Sequence, residues 1–201
     1  MKKSLLIIPL LLLVSGLALT ACGGGGSSSS GSGEEGAIEE AIETSATTTD
    51  PSKCTELQTQ KFNEQDTGTS GEEAIEKCEE EAEEQEDSAE SVEVSNVSVE
   101  GESATAEAAI TGSALNGQTV ELELVEEEGA WKLNQFLGFS EFDGTALSEA
   151  LQKEFESAKP GETETAECVG EAFNEVSQEE AEEVDFEHNV ELLGEILQKC
   201  K

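Results

Sequence analysis

Between Val92 and Leu137 apolar residues recur at every second position, in four runs separated by short turns. Val92, Val94, Val97 and Val99 mark a first strand, and a phase slip at Ser95-Asn96 predicts a bulge. Gly101 turns the chain. Ala104, Ala106, Ala108 and Ile110 alternate with polar residues in a second strand. Asn116-Gly117 is a strong hairpin signal before Val120, Leu122 and Leu124. After Gly129 the fourth strand places Trp131, Leu133, Gln135 and Leu137 on one face and Lys132, Asn134 and Phe136 on the other. Turns this short join only antiparallel neighbours, so the segment reads as a meander with one buried face.

Helical periods flank it. Ile38 and Ile42 define a short amphipathic helix in 34–44. Asp50-Pro51 starts a second, with Cys54, Leu57 and Phe62 near its inner side. The cluster 66–71 is a turn. A third helix begins at Glu72 and carries Ala74, Ile75, Cys78 and Ala82, with Glu73–Lys77 as an i,i+4 pair and an acidic tail, 79–87, that should fray. Beyond Ser140, Leu147, Leu151 and Phe155 recur every four residues until Pro160-Gly161. Val169, Ala172, Phe173 and Val176 form the next stripe, and Ser177-x-x-Glu180 is a capping box. Phe186, Val190, Leu193, Leu197 and Cys200 read as one continuous face, with His188 on a helix surface. The expected fold is α+β: three short helices and a four-stranded antiparallel meander forming a cone-like sheet, then a small helical module.

Charge narrows the possible partners. The 201 residues hold 47 Asp+Glu against 10 basic residues, all lysine, for a net charge of −37. Phosphate neutralisation needs clustered Lys and Arg, so a nucleic-acid binder is excluded. Docking on anionic lipid by charge is equally disfavoured. Only 35 % of residues are hydrophobic, which with this charge would favour disorder. The clear strand and helix periods argue for folded structure instead.

Met1-Lys2-Lys3 precedes an apolar run, 4–21, in the form of a secretory signal. Its end, Leu19-Thr20-Ala21-Cys22, resembles the lipobox of bacterial lipoproteins at all four positions. The resemblance implies cleavage before Cys22, a diacylglycerol on its thiol, and a place on the outer face of the cell membrane. Residues 23–33 read GGGGSSSSGSG, a tether with a reach of roughly 18 Å. The expected organisation is a signal peptide over 1–21, lipidated Cys22 and tether over 22–33, an α+β domain over 34–139 and a helical module over 140–201.

With Cys22 assigned to lipid, Cys54, Cys78, Cys168 and Cys200 remain, an even number in an exported chain. Four cysteines allow three connectivities. Cys54–Cys78 and Cys168–Cys200 are favoured because each pair joins segments of one module. A metal site is a poor alternative, since the only histidine is His188 and neither CxxC nor HxxxH occurs. The run from Asp66 to Gly71 echoes a calcium loop, but Gly68 stands at its third position and Lys77 at its twelfth, where a bidentate Glu is required.

Three helices followed by this meander resemble the nuclear transport factor two-like (cystatin-like) superfamily. The likeness is to its small lipoprotein members, which pair a V-x-V-x-x-V-x-V-x-G strand with a later G-x-W-K. Here those positions are Val92, Val94, Val97, Val99, Gly101, Gly129, Trp131 and Lys132. The resemblance covers about half the chain and implies a curved sheet wrapped around helices, often with a small molecule bound in the cone. Enzymatic relatives commonly use Asp, His and Tyr; this chain has no Tyr, and His188 lies outside the matching region, so no catalytic residue carries over. The reading is therefore a non-enzymatic, membrane-anchored interaction or small-ligand-binding module without cofactor. One alternative is a cone enzyme working with carboxylates alone, marked by an apolar cavity with one inward acid of raised pKa. Another is an acidic surface protein with low affinity for cations.

Overall fold

The computed structural model describes residues 31–84 and 88–200. The signal, Cys22, most of the tether and the end of the acidic tail at 85–87 lie outside the described residues. Within them the chain is α+β. Helices α1 (Gly31–Thr47), α2 (Lys53–Glu56), α3 (Gln60–Thr67) and α4 (Glu72–Glu84) come first. Strands β1 (Ser91–Glu100), β2 (Ser103–Thr111), β3 (Thr119–Glu127) and β4 (Ala130–Glu141) follow. Helices α5 (Gly144–Ala158), α6 (Thr163–Phe173), α7 (Gln178–Asp185) and α8 (Val190–Ile196) then lead to a 3-10 turn, Leu197–Cys200.

The strands pair in the order β1-β2-β3-β4, all antiparallel, in an open sheet. Their alternation fixes the register: Val94 faces Ala108, Ala108 faces Val120, and Val120 faces Phe139 on one buried side. The bulge expected at Ser95-Asn96 is present as a register shift between Ser95 and Ser98. Asn96 takes φ 52° there, and its Nδ2 donates to Glu107 at 2.6 Å. The Asn116-Gly117 signal falls at the end of a longer loop, 112–118, in which Asn116 Oδ1 accepts from the Gly112 amide at 2.8 Å. Asn and Gly thus close the β2–β3 connection without forming a two-residue turn.

β4 departs from simple alternation. Its pairing with β3 shifts at three places, leaving Asn134, Leu137 and Ser140 as extra residues. Each bulge moves the following side chains to the other face and bends the strand. Phe136, expected to point outward with Lys132 and Asn134, instead pairs with Leu122 and joins the core, while Leu137 is 44 % exposed. The bends curve the sheet around α1, whose Ile38, Ala41 and Ile42 are buried.

The second expected helix is divided in two. Between α2 and α3 the chain runs alongside β4, with Thr59 N donating to Leu133 O (2.9 Å) and Leu133 N to Leu57 O (2.8 Å). These bonds take amides that a continuous helix would have used, and Thr59 then caps α3 by accepting from Phe62 N. In α4, Lys77 sits 3.4 Å from Glu81 rather than pairing with Glu73, and its Nζ donates to Thr67 O.

The capping box at Ser177 and Glu180 is formed. The continuous face expected from Phe186 to Cys200 is not. α7 stops at Asp185, His188 takes φ 51°, and Asn189 caps a new helix by accepting from Leu192 N. Val190 is consequently 77 % exposed. Phe173, Ala181 and Phe186 from the C-terminal helices belong to the same buried cluster as Ile38, Leu124 and Trp131. The late helices thus close over the sheet and share its core. Both expected cysteine pairs lie at bonding distance, Cys54–Cys78 at 2.00 Å and Cys168–Cys200 at 2.11 Å.

Candidate functional site: a capped cavity and its buried carboxylate

As an edge strand, β4 offers unpaired backbone groups along its outer side. Polar side chains cover several of them. Gln65 of α3 grips Phe136, with Oε1 accepting from its amide (2.8 Å) and Nε2 donating to its carbonyl (3.1 Å). One turn apart on α7, Gln178 Nε2 donates to the Phe139 carbonyl (2.7 Å) and Glu182 Oε1 accepts from the Phe139 amide (2.8 Å). Gln118 holds the start of α5 in the same manner, bonding both the amide (2.9 Å) and the carbonyl (3.0 Å) of Asp143. The Gln65 and Gln118 forks dock α3 and α5 without adding charge to an already acidic body, whereas α7 is held by one amide and one carboxylate.

The docking of α7 places Phe186 against two rings of β4. It stacks on Phe136, with centroids 4.9 Å apart and planes at 12°, and tilts against Phe139 at 4.9 Å. Phe62 of α3 completes the row, 4.8 Å from Phe136. Beyond α7, His188 Nε2 donates to the Gln65 carbonyl. Its ring lies so close to Gly68 that a Cβ there would sit 3.0 Å away, and Gly68 itself has φ +66° as the left-handed cap of α3. His188 is therefore a half-buried clasp in a loop, not the helix-surface residue expected.

Beside this row of rings lies a half-open cavity of about 300 Å³. Ile42 and Ala46 of α1 form one wall. Val92, Ala108, Ile110 and Leu122 of the sheet form another. The Cys54–Cys78 disulfide and Phe186 border it as well. The volume is at the lower end of ligand pockets, which span about 300–1,000 Å³.

Asp185, the last residue of α7, also lines the cavity. Its Oδ2 is buried and has no hydrogen-bond partner. Burial pushes its pKa up to about 6, and nearby His188 only partly opposes this. Charging a carboxylate away from water without a partner is unfavourable, so the proton is held more tightly. The folded chain then binds that proton more strongly than the unfolded chain, whose Asp titrates near 3.9. The resulting stability is complete below the unfolded value and is lost as pH rises through about 6. Asp185→Asn is accordingly expected to stabilise the protein by about 2–3 kcal/mol at pH 8 and to change little at pH 4. Paired urea titrations at the two pH values measure this; an equal effect at both would contradict a strained carboxylate.

Of the residues singled out from sequence, Cys54 and Cys78 border the cavity, whereas Cys168 and Cys200 join α6 to the chain end outside its lining. Cys22 lies outside the described residues. Among the described residues, no group of three or more His, Cys, Asp or Glu is arranged to hold a metal ion. No described helix is long and apolar enough to cross a membrane. Asp185 has one signal in the sequence, an acid set between Val184 and Phe186. Comparison with known proteins finds no matching family model, no matching curated protein and no matching solved structure.

Proposed function

We propose that this chain is an exported lipoprotein, held on the outer face of the cell membrane by a diacylglycerol on Cys22, whose folded body binds one small apolar molecule without catalysis. The reading takes the sheet and its helices as a member of the nuclear transport factor two-like superfamily. The observation that carries the binding function is the largely apolar cavity, bordered by Phe186, into which the Asp185 carboxylate brings a buried oxygen without a hydrogen-bond partner. The anchor rests on Leu19-Thr20-Ala21-Cys22 and the glycine-serine stretch after it. Two acyl chains hold a protein stably where one gives only marginal binding, so an acidic body needs no charge attraction to remain at the surface.

Two measurements test the reading. Labelled fatty acid fed to the producing cells should enter the wild-type chain and not the Cys22→Ser chain, whose apolar 4–21 segment should also remain uncleaved. The neutral fluorophore N-phenyl-1-naphthylamine should bind the Cys22→Ser chain saturably, at one equivalent. A Cys22→Ser chain that still takes up label contradicts the anchor. Fluorescence that never saturates contradicts the cavity as a binding site.

Asp185 favours one other reading. A carboxylate with a pKa near 6 in an apolar cavity is suited to act as a general base at neutral pH. In that case the protein should exchange the α-protons of a small ketone with heavy water, and Asp185→Asn should abolish the exchange. Binding without exchange would leave the non-enzymatic reading standing.

A further inference from the structure

Building on the ligand-binding reading, we propose that the cavity selects an apolar molecule bearing one basic nitrogen, with its ammonium group seated on the Asp185 carboxylate. Three features of the site converge on this. First, Asp185 Oδ2 is buried and unpartnered, so the site lacks a hydrogen-bond donor that a ligand could bring. Second, Asp185 ends α7, where the carbonyls of the final helical turn give a partial negative charge. Carboxylate and helix end therefore attract a cation at the same place.

Third, the nearby protein charges are engaged elsewhere. Lys53, on the cavity wall, is paired with Glu56. Asp50 accepts from the backbone and hydroxyl of Ser52. Glu81 lies 3.4 Å from Lys77. Among the described residues, none of the ion pairs formed by lysine includes Asp185. His188 lies near Asp185, but its Nε2 is committed to the Gln65 carbonyl.

The remainder of the molecule supports the same selection. A net charge of −37 draws cations toward the body and repels anions. An anionic amphiphile such as a fatty acid would bring a second carboxylate against Asp185. A neutral one would leave the Asp185 charge buried without a partner. An ammonium group offsets that burial by a charge-assisted hydrogen bond. The apolar walls take the rest of the molecule.

Displacement of N-phenyl-1-naphthylamine from the full-length Cys22→Ser chain at pH 8 tests the selection with three probes of one length: octylamine, octan-1-ol and octanoate. Octylamine should displace the fluorophore at about tenfold lower concentration than either of the others, the effect of one charge-assisted hydrogen bond. Asp185→Asn should remove that advantage, with a cooperative melting transition showing that the variant is folded. Octanol or octanoate matching octylamine would overturn the proposal, as would an octylamine advantage that survives Asp185→Asn. A fluorophore that does not bind at all would instead overturn the ligand-binding reading, and the selectivity with it.

Discussion

Phe186→Ala is expected to destabilise the protein by about 3–5 kcal/mol, lowering its melting temperature by about 10 °C. Phe186 is 8 % exposed and touches the rings of Phe136 and Phe139, so its removal takes away both buried area and aromatic contacts. It also opens the cavity beneath α7, because the same ring borders that space. The neighbouring polar forks cannot compensate: Gln178 and Glu182 hold the Phe139 backbone, not the space the ring fills. Phe155 is the matching control. It lies on α5 outside the buried cluster, with Lys159 Nζ 5.1 Å from its ring centre. Phe155→Ala should cost no more than about 1 kcal/mol, as for a half-exposed site. Equal losses in calorimetry of the two variants would show that the C-terminal helices do not share the core of the sheet.

Removing either disulfide by paired Cys→Ala substitution should cost about 3–4 kcal/mol on the loop-entropy model, in which the closed loops span 24 and 32 residues. That is a large part of the roughly 5–15 kcal/mol by which domains are stable. The two losses should differ in their effect on binding. Cys54 and Cys78 are buried beside the cavity and join α2 to α4, so without them the wall loosens and fluorophore binding weakens. Cys168 and Cys200 clip α6 to the chain end outside the cavity lining, so their loss should lower stability with little change in affinity. Denaturant titration read beside fluorophore affinity separates the two. Equal effects on affinity would contradict the placement of the first pair at the site. Four free thiols in the non-reduced protein would contradict both bonds.

Much of this architecture is legible in the residues. Alternation at Val92–Val99, Ala104–Ile110 and Val120–Leu124 sets strand order and register, because a meander with short turns has few other ways to bury one face. The cysteine pairing follows from which segments lie near each other along the chain, and Ser177-x-x-Glu180 announces its own cap. β4 is less legible, since alternation assumes an unbroken pleat. Three bulges send Phe136 to the face assigned to its neighbours, and nothing local marks them. The break between α2 and α3 is hidden for a related reason. It depends on hydrogen bonds to Leu133, more than seventy residues away in sequence.

The site itself leaves the faintest trace in the residues. Among 47 acids, one more carboxylate carries no distinguishing mark. Asp185 becomes special only because Gln178 and Glu182 lay α7 along β4 and turn its last residue inward. Gln65 and Gln118 are similarly silent as letters, since a glutamine fork is recognisable only once the backbone it grips is in place. His188 looked like a surface residue because the period around it is helical; its positive φ and its contact with Gly68 are tertiary effects.

The central claim is that α7 folds over the sheet and, through Asp185 and Phe186, completes one side of a ligand cavity. Ala82 of α4 lines that cavity and is only half-buried, so Ala82→Phe should fill the space without displacing the core. Titration of N-phenyl-1-naphthylamine into the Cys22→Ser chain, with and without Ala82→Phe, tests the claim most directly. The account expects one saturable equivalent in the first and at least a tenfold loss of affinity in the second, at an unchanged melting temperature. Undiminished binding in the filled chain, or no saturable binding in either, would contradict it.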